Sequence, residues 1–133
     1  MVYEEFVRRV QSRARLGSRG SALEAIRASL ETLSLRLGHE NSQGIARQLP
    51  REIAAYLLVV ADDDRHVQQF PLDEFLQRIC AKEDVQYSDA IVHARVVLEV
   101  LTEAVSPRVM DEVRNQLPEE FQPLFEAVNT GMP

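Results

Sequence analysis

Apolar residues recur along the chain at the spacing of an α-helix. Leu23, Ile26, Leu30, Leu33 and Leu37 follow one another at intervals of three, four, three and four, which draws one apolar stripe down one side of a helix. Ile91, Ala94, Leu98, Leu101 and Val105 draw a second stripe of the same kind. A first helix is predicted from about Glu4 to Arg15, with Phe6, Val7, Val10 and Ala14 on one side and Arg8, Ser12, Arg15 and Arg19 on the other. Gly17 and Gly20 mark its exit. Ser21 and Glu24 have the spacing of a capping box, Ser88 is the candidate N-cap of the second long helix, and Gly38 suits a left-handed helix end. Ser106-Pro107, Pro50 and Pro118 start the shorter helices, because proline in a first turn leaves no amide unsatisfied. The β-branched run Val96-Val97 lies inside 3.6-residue periodicity and lacks strand alternation.

The pattern is written twice. Tyr3-Glu4-Glu5-Phe6-Val7-Arg8-Arg9-Val10 returns as Leu72-Asp73-Glu74-Phe75-Leu76-Gln77-Arg78-Ile79, 69 residues on. Leu30-Glu31-Thr32-Leu33 returns as Leu98-Glu99-Val100-Leu101, and Gln48-Leu49-Pro50 as Gln116-Leu117-Pro118, both 68 residues on. One residue is therefore lost in the first inter-helix loop. The expected fold is all-α: two tandem four-helix units, about eight helices, packed as one compact bundle. Residues 1–133 form a single domain, with repeats at about 3–60 and 72–128 and a linker at about 61–71.

The copies differ in one instructive way. Val92, Val96, Val97 and Val100 widen the apolar arc of the second long helix, where the first has Glu24, Ala28, Ser29 and Thr32. The second long helix is therefore expected to be the central one. Val92, His93, Val96 and Val100 become candidates for an inter-repeat or partner surface.

Charge divides along the same line. Residues 1–60 hold nine Arg and six Glu, while residues 61–133 hold six Arg or Lys and fifteen Asp or Glu, for a net charge of −6. An acidic protein is poorly suited to non-specific nucleic-acid binding, which depends on neutralising phosphates. Arg8, Arg9, Arg13, Arg15 and Arg19 nevertheless crowd into twelve residues. Their guanidinium forks suit carboxylates, so a contact with an anion or an acidic partner is expected there. That partner includes the acidic half of another copy.

Other chemistry finds little footing. His39, His66 and His93 are spread over different elements, with His39 placed beyond a helix end where its charge is favourable and His93 at the border of a valine-rich helix. Cys80, the only cysteine, reads as a small buried hydrophobe. Asp62-Asp63-Asp64 lack the glycine and distant glutamate of a calcium loop, so they read as a solvated linker. No metal, cofactor or enzymatic activity is expected. The longest apolar stretch, Ile53 to Ala61, falls short of the roughly 20 residues needed to cross a bilayer. The opening residues read as an amphipathic helix rather than a leader, and a cytoplasmic location is expected.

Taken together, Tyr3-x-Glu5-Phe6-x-x-Arg9-Val10, Gln48-Leu49-Pro50, Leu72-Asp73-Glu74-Phe75-Leu76, His93-Ala94-Arg95-Val96-Val97-Leu98 and Gln116-Leu117-Pro118 resemble the bacterial domain-of-unknown-function family 2267. The resemblance runs from about Val2 to Phe125. It implies a compact helical bacterial protein and transfers no functional residue. The expected role is a non-enzymatic protein-interaction or scaffold module. The sequence leaves a second reading open, a sensory domain binding a small molecule in a pocket between the two repeats.

Overall fold

In a computed structural model the described residues are 1–61 and 68–126, with backbone alone over 59–61. The element order is α1 (Tyr3–Arg13), α2 (Arg19–Leu37), α3 (His39–Ala46), α4 (Arg51–Ala61), α5 (Leu72–Glu83), α6 (Tyr87–Ala104), α7 (Pro107–Asn115) and a closing 3₁₀ helix (Glu119–Phe125). Among the described residues there is no strand. The all-α expectation holds. Asp62, Asp63, Asp64 and His66 lie outside the described residues, as do the last residues of the second repeat.

Helix α1 begins with Glu4 and Glu5 and ends with Arg13, the charge order that complements its dipole. It stops earlier than its glycines suggested. Arg15 takes a left-handed conformation (φ 56°), so that Leu16 N–H donates to Gln11 C=O at 2.9 Å and Arg15 N–H to Ser12 C=O at 3.2 Å. Those two bonds close the end of the helix and satisfy its loose carbonyls. Helix α5 closes alike at Asp84 (φ 58°), with Val85 N–H on Cys80 C=O. Arg15 and Asp84 are 69 residues apart, as are the starts of α1 and α5. The starts of α2 and α6, of α3 and α7, and of α4 and the 3₁₀ helix are each 68 apart.

Three caps differ from expectation. Helix α2 opens one turn before the Ser21–Glu24 box, because Ser18 Oγ already accepts from Ser21 N–H at 3.0 Å. Helix α6 starts behind Gln86 with no side-chain cap, leaving Ser88 inside its first turn. Gly38 (φ 86°, ψ 174°) sits in a region open essentially to glycine alone, and it both ends α2 and begins α3. His39 follows the Gly38 cap of α2 as expected and also opens α3, so it stands between one helix C-terminus and the next helix N-terminus. Ser106 caps α7 as expected, with Pro107 in the first turn. The last element is not a regular α-helix: Pro123 lies inside it, where a missing N–H and a bulky ring oppose the α pattern.

The core joins all of these elements. Phe6, Phe75 and Phe121 are fully buried, and the Phe75 and Phe121 rings meet edge-on with centroids 5.4 Å apart. Helix α6 packs on α1, α2, α5 and the 3₁₀ helix; α2 packs on α1, α3, α4, α5 and α6. The valine-rich helix is thus not the sole centre. Ala28, Ser29 and Thr32 of α2 are as buried as Val96, Val97 and Val100, because small side chains admit close neighbours. Thr32 Oγ1 meets its own need by donating to Ala28 C=O at 2.7 Å.

The end of the linker is anchored. Gln68 N–H donates to Leu35 C=O, and Phe70 is buried. Buried Arg36 donates from Nε to Phe70 C=O at 3.0 Å, its guanidinium lying 5.4 Å from the Phe121 ring centre and 5.9 Å from that of Phe70. Burial lowers the pKa of Arg36.

Candidate interaction face on helix α1

The five clustered arginines divide into three settings. Arg9 and Arg13, four apart, stand on the same side of α1 and meet α6. Arg9 donates to Glu103 at 2.5 Å and also to Glu5. Arg13 donates to both carboxylate oxygens of Glu103 (2.7 and 3.0 Å) and to Glu99 at 3.0 Å. Glu99 and Glu103 are again four apart, so two arginines one turn apart face two glutamates one turn apart. The hydrogen bonds to Glu103 raise both guanidinium pKa values, and the bond from Arg13 is the main cause holding Glu103 below its usual range. The nearest acidic partner of this cluster is therefore its own chain.

Arg8 and Arg15 are exposed and make no ion pair with a described residue. Arg19 does not belong to the first helix; it is the first residue of α2. Its guanidinium pairs with Glu4 at 2.7 Å and lies 5.3 Å from the centre of the Tyr3 ring. Glu5, Arg8, Arg9, Ser12 and Arg13 line an open depression of about 400 Å³. Three guanidinium groups face one carboxylate there. Side chains of Arg9 and Arg13 remain about a third exposed in spite of their ion pairs (34% and 35%).

The valine-rich candidates separate in the same manner. Val96 and Val100 are fully buried in the core, whereas Val92 is 41% exposed. His93 is buried, and its Nδ1 lies 2.7 Å from Oε1 of Glu83 at the end of α5. That pair is almost wholly enclosed by protein. It ties α5 to α6 through Oε1, while Oε2 of Glu83 is buried with no hydrogen-bond partner among the described residues. Cys80 is half-buried, with its Sγ 3.0 Å from Val85 C=O.

A smaller depression, about 170 Å³, lies between α2 and α5 and is lined by Glu24, Arg27, Ala28, Glu31 and Lys82. Glu31 accepts from Arg27 and from Lys82, each at 3.2 Å, so its charges are already paired. His93 does not line it. Another, about 180 Å³, is lined by Gln43, Ala46, Arg47 and Leu58. Among the described residues no group of three or more His, Cys, Asp or Glu is arranged to hold a metal ion, and no helix is long and apolar enough to cross a membrane.

The arginines are conspicuous in the sequence, whereas Glu99, Glu103 and Glu83 are not. The matching spacing of Arg9/Arg13 and Glu99/Glu103 is written in the chain, yet pairing them requires knowing that α1 lies on α6. Arg36 went unnoticed as well. Its signal is its place between Leu33 and Leu37 on a helix buried on several sides.

No curated protein matches this chain. A family model described as "Uncharacterized conserved protein (DUF2267)" matches residues 3–124, nearly the full length. The arginine face of α1, the His93–Glu83 contact and the fold that holds them are thus features of a chain that belongs to the DUF2267 family.

Proposed function

We propose that this protein is a non-enzymatic protein-interaction or scaffold module of the bacterial cytoplasm, and that it docks an acidic protein surface on the exposed side of α1. The observation that carries the reading is the division of labour among the arginines. Arg9 and Arg13 are oriented by acids of α6, while Arg8 beside them and Arg15 just beyond are exposed and have no ion-pair partner among the described residues. Exposed Arg8 and Arg15 beside the partly exposed edges of Arg9 and Arg13 make a basic face. Exposed charges of this kind steer partners of opposite sign.

The two tandem four-helix units remain part of this proposal. They are supported by the spacing of helix starts, 69 for the first pair and 68 for the other three, and by the paired left-handed exits at Arg15 and Asp84. In this reading α1 of the first unit is the interaction helix. The depression between α2 and α5 supports the alternative, a small-molecule sensor, less well, because its charged lining is already internally paired.

The test is co-purification from the source cells, comparing the wild type with an Arg8→Glu, Arg15→Glu variant. Both positions are exposed, so the variant is expected to fold with the same circular dichroism spectrum. A partner recovered with the wild type and lost with the variant is the expected result. An identical set of co-purifying proteins would remove α1 as the docking face.

A further inference from the structure

We infer that the partner's contribution to this face is an acidic α-helix with carboxylates four residues apart. The inference rests on the docking face proposed above and adds the shape of its ligand. Its basis is the contact the chain makes with itself. Arg9 and Arg13 are spaced by one helical turn, and they are met by Glu99 and Glu103 with the same spacing on a neighbouring helix. Along a helix four residues span about 6 Å, so two helices lying side by side keep such pairs in step. The α1–α6 contact is a working example of this recognition on one side of α1.

The other side carries one arginine and one serine at the same spacing. Arg8 and Ser12 are also four apart, both are exposed, and they share the open depression with Arg9 and Arg13. An acidic helix lying there meets three guanidinium groups and one hydroxyl against the single carboxylate of Glu5. Guanidinium forks bind carboxylates through two parallel bonds, and Arg9 and Arg13 each keep about a third of their side chain accessible for a second acceptor. A nucleic acid fits less well, because the net charge of −6 repels a long continuous phosphate chain more than a short acidic helix. A second copy fits less well too, since each copy carries a net charge of −6.

Glu103 then has a second role. It competes in cis for the arginines that the partner helix uses, so neutralising it should strengthen binding.

The experiment uses the full chain and two labelled, alanine-based helical peptides, read by fluorescence anisotropy at low salt. One peptide carries two Glu-x-x-x-Glu pairs on one face; the other has the same composition with its glutamates spread around the helix. The paired peptide is expected to bind about tenfold more tightly, the sum of a few exposed ion pairs. Arg8→Glu is expected to abolish that difference, and Glu103→Gln to tighten binding of the paired peptide about threefold. Equal binding of the two peptides overturns the inference, as does an unchanged affinity in Glu103→Gln or tighter binding of single-stranded DNA than of the paired peptide. Should Arg8→Glu, Arg15→Glu lose its cellular partner while the two peptides bind equally, the docking face stands and the helical ligand falls.

Discussion

Glu103 accepts three hydrogen bonds from two arginines of another helix, and that one carboxylate joins the start of the chain to its acidic half. Its pKa in the folded protein is lowered, first by the bond from Arg13, from an ordinary 4.5. A depressed carboxylate contributes stability that is fully present above the unfolded value and is lost as pH falls through the folded one. Because the group is about a third exposed, the contribution is screened and amounts to no more than about 1 kcal/mol. Wild-type stability, followed by urea unfolding, should therefore drop more steeply between roughly pH 5 and pH 3 than that of Glu103→Gln. Parallel acid limbs would mean that the contact does not form in solution. At this scale the sequence was partly legible. Arg9 and Arg13 stand out as a cluster, but their acceptors on α6 lie about ninety positions away and only packing brings them near. Arg36 was illegible for a related reason. A charged residue next to Leu37 reads as surface until the returning Phe70 carbonyl is seen to receive its Nε.

At the scale of elements, periodicity carried most of the information. The stripes ending at Leu37 and Val105 locate α2 and α6, and nearly every stripe residue is buried; Leu23 and Ile91, one at the head of each stripe, are half-buried. Helix ends were read less well, since serines compete for the same cap. Ser18, Ser21 and Glu24 all sit near the start of α2, and the structure selects Ser18. Ser18→Ala should cost about 1 kcal/mol of stability, the usual loss for an N-cap, and Ser21→Ala distinctly less. Thermal unfolding of the two variants decides this; a larger loss at Ser21 would restore the capping box. The exit of α1 was misread because Gly17 and Gly20 drew attention from Arg15, a residue type seldom expected at positive φ. The closing element departs from an α-helix because Pro118 stays extended as its N-cap, outside the first turn, and Pro123, five residues later, breaks the α pattern.

At the scale of the molecule, the uneven charge of the two halves takes on a structural meaning. The basic half supplies α1, the acidic half supplies α6, and the two pack together along a seam of ion pairs, with Phe6, Val7 and Val10 of α1 buried in the core. Charge complementarity first considered between copies is met at this seam within one copy. What remains outward is Arg8, Ser12 and Arg15, beside the guanidinium edges of Arg9 and Arg13. The valines that seemed to offer a second surface mostly serve the core, and only Val92 among them stays exposed. Composition foretold the asymmetry, but not which arginines the fold would leave free. Site-specific photo-crosslinking in living cells tests whether α1 docks a protein, with the reactive side chain placed at position 8, at position 15, or at exposed Gln77 on α5 as a control. A discrete protein adduct is expected from positions 8 and 15 and none from position 77. No adduct at positions 8 and 15, or the same adducts from all three, would contradict docking on α1.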